Sequence, residues 1–209
     1  MMKRMIALVA LLLGIVAMPA GAADDDKGWT QLFNGKDTTG WKLHEKANPK
    51  SKWEVKDGLL VGSGEASMLY SERGDYENFH FRIEAKINDK GNSGQYFRAA
   101  FVPGFQTGYE AQINATHRDA IKTGSLYLPK LAEVLVKDKA PHAADEFFVQ
   151  EVIANGNHIV IKVNGKVTVD WKDPDAKHTK GHFALQQHDP GSMVSFKKIE
   201  VKELPATKK

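Results

Sequence analysis

The 209-residue chain contains no cysteine. That excludes disulfides and a lipobox, so the fold must be held by packing and hydrogen bonds alone. Long hydrophobic runs are missing after residue 22, and no later window carries an apolar stripe at helical period. A membrane span and a helical bundle are both excluded on those grounds. Surplus charge of one sign is missing too. The formal net charge is +3, falling to about +1 once residues 1–22, with Lys3 and Arg4, are set aside. Such a surface offers no electrostatic footprint for nucleic acid or an anionic membrane. The histidines are scattered, with no H-E-x-x-H and no carboxylate triad at metal-ligand spacing, and no G-x-S-x-G elbow is present. Gly62-Ser63-Gly64 is a glycine-rich turn without a following helix to present amides to phosphate.

What is present begins with an export signal. Lys3 and Arg4 precede the uncharged apolar run Met5 to Val16, and Ala20-Gly21-Ala22 supplies small residues for cleavage. The order is that of a signal peptide over residues 1–22, implying a periplasmic or secreted protein. Residues 23–28 form a polar leader, residues 29–204 one domain, and residues 205–209 a tail.

Within the domain, Gly, Asn or Asp interrupts the chain every ten residues or so. Trp53-Glu54-Val55 and Leu59-Leu60-Val61 flank Asp57-Gly58, and His158 to Val163 meets Lys166 to Val169 across Asn164-Gly165. Both dipeptides signal tight hairpins. Phe79 to Ile87 alternates strictly between apolar and polar residues. Many short strands with evenly spaced turns predict an all-β sandwich of two antiparallel sheets. The segment Leu131 to Lys137, between Pro129 and Pro141, is expected to be a strand within a loop.

Strand alternation also sorts side chains by face, because residues i and i+2 point the same way. It pairs Glu110 with Gln112, His182 and Gln186 with His188, Tyr96 with Arg98, and Arg82 with Glu84. If these strands share a sheet, they make a polar floor of carboxylates, amides, a guanidinium and imidazoles. Any one such residue could simply face solvent. As a set they are richer in Gln, His, Arg and Tyr than an ordinary wet face, and these groups bind vicinal hydroxyls and stack on sugar rings. Trp29, Trp41, Trp53 and Trp171 are expected mainly in packing roles.

Several motifs, in order along the chain, resemble the 3-keto-disaccharide hydrolase family. They are Leu32-Phe33-Asn34-Gly35-Lys36-Asp37 with Gly40-Trp41, Asn92-Ser93-Gly94-x-x-x-Arg98, Gly108-Tyr109-Glu110-x-Gln112-Ile113, Thr123-Gly124-Ser125-Leu126-Tyr127, and Gly181-His182-x-Ala184-Leu185-Gln186-x-His188. Asn114-Ala115 stands where the family often has an acidic residue. The resemblance implies a concanavalin A-like jelly-roll β-sandwich and a carbohydrate substrate, a 3-keto-glycoside. Cleavage would proceed by elimination, with His188 or Glu110 as base and Arg98 stabilising the enolate. Gln112, Gln186 and Tyr127 would orient hydroxyls, with Asn92 and Glu84 also placed in the substrate site. No cofactor is evident, although a divalent metal could take the part of Arg98. Direct hydrolysis would instead pair Glu84 with Glu110. A lectin-like binding module and a structural domain stay open as alternatives, as does the oligomeric state.

Overall fold

The computed structural model describes residues 27–105, 107–128, 132–135 and 137–205. The expected signal peptide, residues 23–26 of the leader and residues 206–209 of the tail lie outside these. Fifteen strands and no helix make up the described residues. One sheet contains β3 (Ser51–Lys56), β4 (Leu59–Gly64), β6 (Phe79–Ile87), β11 (Phe148–Asn155), β12 (His158–Val163), β13 (Lys166–Lys172) and β15 (Val194–Glu203). Its order is β13-β12-β11-β6-β15-β4-β3, with the short β1 (Thr30–Gln31) also pairing β15. The second contains β2 (Trp41–Leu43), β5 (Ser67–Ser71), β7 (Ser93–Ala99), β8 (Tyr109–Ile113), β9 (Leu126–Leu128), β10 (Ala132–Leu135) and β14 (His182–Gln187). Its order is β10-β9-β8-β7-β14-β5-β2. All pairings are antiparallel, so the expected two-sheet jelly roll is the fold.

The local signals act as the sequence suggests. Asp57-Gly58 and Asn164-Gly165 both take positive φ at two successive residues, as tight two-residue hairpins require. The Leu131 to Lys137 segment contributes β10, an edge strand against β9.

Between the sheets lies one core. From β6 come Phe79, Phe81, Ile83, Ala85 and Ile87; facing them are Phe97, Tyr109, Ala111, Ile113, Phe183 and Leu185 of the other sheet. Phe183 stacks between Tyr76 at 4.1 Å and Phe81 at 4.0 Å. Each such ring removed from water contributes about 1.5–3 kcal/mol. Two glutamines cross the core: Gln95 Nε2 donates to the Phe81 carbonyl, and Gln150 Nε2 to the Ala111 carbonyl and Gln95 Oε1. They tie the sheets together by donors that an apolar core could not supply.

The two outer faces differ. Along β6, β11 and β12, buried residues alternate with partly exposed ones, the pattern of a sheet wet on one side. In contrast, β5, β7 and β8 are buried at every position. Their outward face is therefore covered, and it carries the polar residues.

The tryptophans pack. Trp41 donates Nε1–H to the Leu32 carbonyl, while Trp53 stacks on Phe196 and bonds Ser67. The opening motif before Trp41 is a self-bonded loop: Asn34 Oδ1 accepts from the backbone of Lys36 and Asp37, and Asp37 accepts from Thr39.

Candidate functional site

On the outward face of the seven-stranded sheet lies a cavity of about 380 Å³, within the size range of small-ligand sites. Asn92, Tyr96, Glu110, Gln112, Tyr127, Gln186 and His188 line it, together with Phe105, Asp119 and Ile121. The register explains the convergence. β7, β8 and β9 are neighbours, and Tyr96, Glu110 and Tyr127 sit opposite one another across them. Gly94 pairs with Gln112 on the same side, and β14 brings Gln186 and His188 from the other edge of β7.

Glu110 is the central group. Its carboxylate accepts a 2.6 Å hydrogen bond from the Tyr96 hydroxyl, which in turn accepts from Gln186 Nε2 at 3.1 Å. Burial lifts its pKa from 4.5 to about 8; the Tyr96 bond opposes that rise and the Asp119 charge adds to it. Tyr96 is pushed well above its ordinary value, first by burial and then by the Glu110 charge, so it stays a donor. A carboxyl placed this way exchanges a proton near neutral pH.

Gly94 makes room for this carboxyl. A methyl group at its Cα would run into Oε1 and Cδ of Glu110 and the ring of Tyr96. Gly94→Ala should therefore leave the fold intact and displace the Glu110 head group. If Glu110 acts in chemistry, kcat should fall at least roughly tenfold with a smaller change in KM, since an ångström of misplacement costs that much or more. Steady-state kinetics beside a thermal melt checks it.

The far wall is built from loops. His188, just after β14, bonds Asp189 Oδ2 through Nδ1 at 2.8 Å and stacks on Phe105. His117 meets its ring edge-on at 5.6 Å. Asn114 organises the loop carrying His117 and Asp119: its amide donates to the carbonyls of Asp119 and Ile121, and its Oδ1 accepts from the His117 backbone. Asn114 thus serves loop structure. Asn92 donates to Asp119 Oδ2 at 2.8 Å.

Of the residues singled out from the sequence, Asn92, Glu110, Gln112, Tyr127, Gln186 and His188 meet in this cavity. Arg98 does not. Opposite Phe183 of β14 the chain fits two residues of β7, Phe97 and Arg98, and Arg98 takes φ 51°. This bulge breaks the alternation that would have kept Arg98 beside Tyr96. Its guanidinium turns to the end of the sandwich, donating to the carbonyls of Glu77 and His178, and is 2% exposed. Glu84 is also displaced: β6 belongs to the other sheet, where Glu84 faces outward and pairs with Lys197 at 2.8 Å. Glu84 and Glu110 thus lie on different sheets and cannot flank one bond. His182 shares the outward face but bonds the Ser71 carbonyl, outside the cavity lining. Tyr96 kept the expected face; Phe105, His117, Asp119 and Asp189 sit in loops or turns where alternation carries no information.

The sequence profile of the 3-keto-alpha-glucoside-1,2-lyase-like domain matches residues 28–202. The chain belongs to this family. A curated 3-keto-disaccharide hydrolase of Bacteroides thetaiotaomicron is 33% identical over 86 residues, 37% of this chain. That match spans only 30% of the relative's own length. A provisionally named glycosyl hydrolase from Parabacteroides distasonis superposes with TM-score 0.67 at 25% identity, covering 85% of this chain and 94% of that one. The carbohydrate-binding module CBM66 of Bacillus subtilis superposes with TM-score 0.61 at 18% identity, over 79% and 96% of the two chains, a likeness of fold. Family membership accords with the motif resemblance.

Proposed function

We propose that the protein cleaves 3-keto-glycosides by elimination across C1 and C2, with Glu110 as the base. The observation that carries this reading is a buried carboxyl, raised to about 8, at the floor of a cavity lined by amides and aromatic rings. A ketone at C3 acidifies the C2 hydrogen. Glu110 takes that proton, and the C2–H pair moves into the C2–C3 bond, placing charge on the C3 oxygen. As the carbonyl re-forms, the electrons make a C1–C2 double bond and the C1–O bond breaks; the departing oxygen takes up a proton. The products are an unsaturated keto sugar and an alcohol, and later addition of water to the double bond gives net hydrolysis. Tyr96 and Gln186 position the Glu110 carboxyl, Gln112 and Tyr127 hold hydroxyls, and His188 faces the enolate side. With Arg98 and Glu84 elsewhere, neither a guanidinium on the enolate nor a second carboxylate pair is part of this mechanism.

A second hollow of about 250 Å³ adjoins the cavity and shares Phe105, with Met68, Tyr70 and His44 among its walls. It would take the leaving sugar or aglycone. Export through residues 1–22 is proposed as well; the mass of the mature N-terminus in a secreting host checks it.

The test is incubation with 3-keto-glycosides and their unoxidised parents, following the ultraviolet absorbance of the enone and the released alcohol. Turnover of the keto substrate alone is expected. Equal turnover of the parents would overturn the elimination mechanism. Binding of both without turnover would replace it with a lectin-like role.

A further inference from the structure

We infer that His117, His188 and Asp189 form a binding site for a divalent first-row transition metal ion at the rim of the cavity. Its assignment to the enolate oxygen rests on the elimination reading above; the site itself stands on the geometry.

Each of the three residues offers one ligand atom, and these atoms lie within 4.8 Å of one another. Asp189 Oδ2 is 2.8 Å from His188 Nδ1 and 3.6 Å from His117 Nε2. Two imidazoles and a carboxylate favour zinc, manganese, cobalt or iron over calcium or magnesium, which prefer all-oxygen sets. Three protein ligands leave positions for a substrate oxygen.

The surroundings orient these ligands. His117 Nδ1 lies 3.2 Å from Asp119 Oδ2, whose position is fixed by the Asn92 amide at 2.8 Å. The Asp119 backbone N–H donates to Nδ1 at 3.2 Å. Binding an ion at Nε2 moves the ring proton to Nδ1, which then gives up that backbone bond and donates to the Asp119 carboxylate, an arrangement common behind metal-bound histidines. The other Asp189 oxygen accepts the Gly191 N–H at 2.9 Å, and Phe105 stacks on the His188 ring at 5.7 Å. The ligands thus come from two separate loops, and each is held by a neighbour that does not itself ligate.

The placement has a chemical consequence. Among the described residues no lysine or arginine lines the cavity, and none of them places a cationic side chain beside the charge that develops on the C3 oxygen. A metal ion held next to His188 supplies that charge as a Lewis acid.

The experiment uses the full mature chain after chelator dialysis. Calorimetric titration with zinc or manganese and visible absorbance with cobalt read binding without substrate. One ion per chain is expected, with the cobalt spectrum of a nitrogen-containing low-symmetry site. His117→Gln and Asp189→Asn should each weaken binding by at least tenfold, and Asp119→Asn, which touches no metal, by about 10–100-fold. Circular dichroism shows whether each variant is folded. For the wild type, pulsed magnetic resonance with copper counts coordinated imidazoles without any substitution, and two are expected. Absence of binding to the wild-type chain would overturn the site. So would binding that both ligand variants leave unchanged, or a copper spectrum without imidazole. One-to-one binding lost in the variants, in a protein that does not turn over keto substrates, would uphold the metal site and overturn the elimination reading instead.

Discussion

The Glu110→Gln protein is expected to turn over a 3-keto-glycoside roughly 100- to 10,000-fold more slowly than the parent, the usual range for a lost general base. It should nevertheless melt at a higher temperature in alkaline buffer. The two effects share one cause. Burial raises Glu110 from 4.5 to about 8, so between those values the folded protein holds a proton that the unfolded chain has released. Stability present at low pH is therefore lost as pH rises through this window, and above about 8 the fold carries a buried carboxylate. The amide variant cannot ionise. Its advantage should appear above pH 4.5, grow up to pH 8, and reach on the order of a few kcal/mol. Wild-type kcat/KM should rise with pH through about 8, because the base works only when ionised. Melts and kinetics from pH 5 to 9 test both arms. Near-normal turnover by the folded variant would move the base to His188.

Arg98→Ala should act on the fold and leave chemistry alone. The buried guanidinium donates three hydrogen bonds to two backbone carbonyls, from Glu77 and His178, and its plane lies over Phe79. Removing it strands both carbonyls and opens a cavity, a loss on the order of 3–5 kcal/mol. For a domain of this size that lowers the melting midpoint by about 10 °C or more. Arg98→Lys should recover only part, since one ammonium cannot reproduce the fork that reaches both segments. At a temperature where the variant is folded, kcat should stay within a few-fold of wild type. A folded, fully stable Arg98→Ala protein with abolished turnover would return Arg98 to the active site.

Much of the site was legible because strand alternation is a local rule. Glu110 with Gln112, and Gln186 with His188, share a face simply by being two apart on β8 and at the end of β14. The hairpins at Asp57-Gly58 and Asn164-Gly165 were legible for a similar reason, since only a few dipeptides adopt two successive left-handed conformations without strain. The all-β fold followed from these short-range signals.

Alternation says which residues share a face, but not which sheet a strand joins. Glu84 alternates as cleanly as Glu110, yet β6 pairs with β11 and β15 on the far side of the core. That choice is made by burying Phe79, Phe81 and Ile83 against Phe97 and Phe183, partners distant in sequence. Arg98 leaves the face of Tyr96 through a bulge in β7: Gly181, just before β14, lies so close to the bulged backbone that a side chain there would strike Arg98 and Ala99. His117 and Asp189 come together only because the loop after β8 and the turn after β14 end at the same rim of one sheet. The sequence by itself determined the strands, their faces and the polar character of one face. Tertiary structure alone decided which polar groups meet, because that depends on long-range burial and on register, neither of which a period of two can encode.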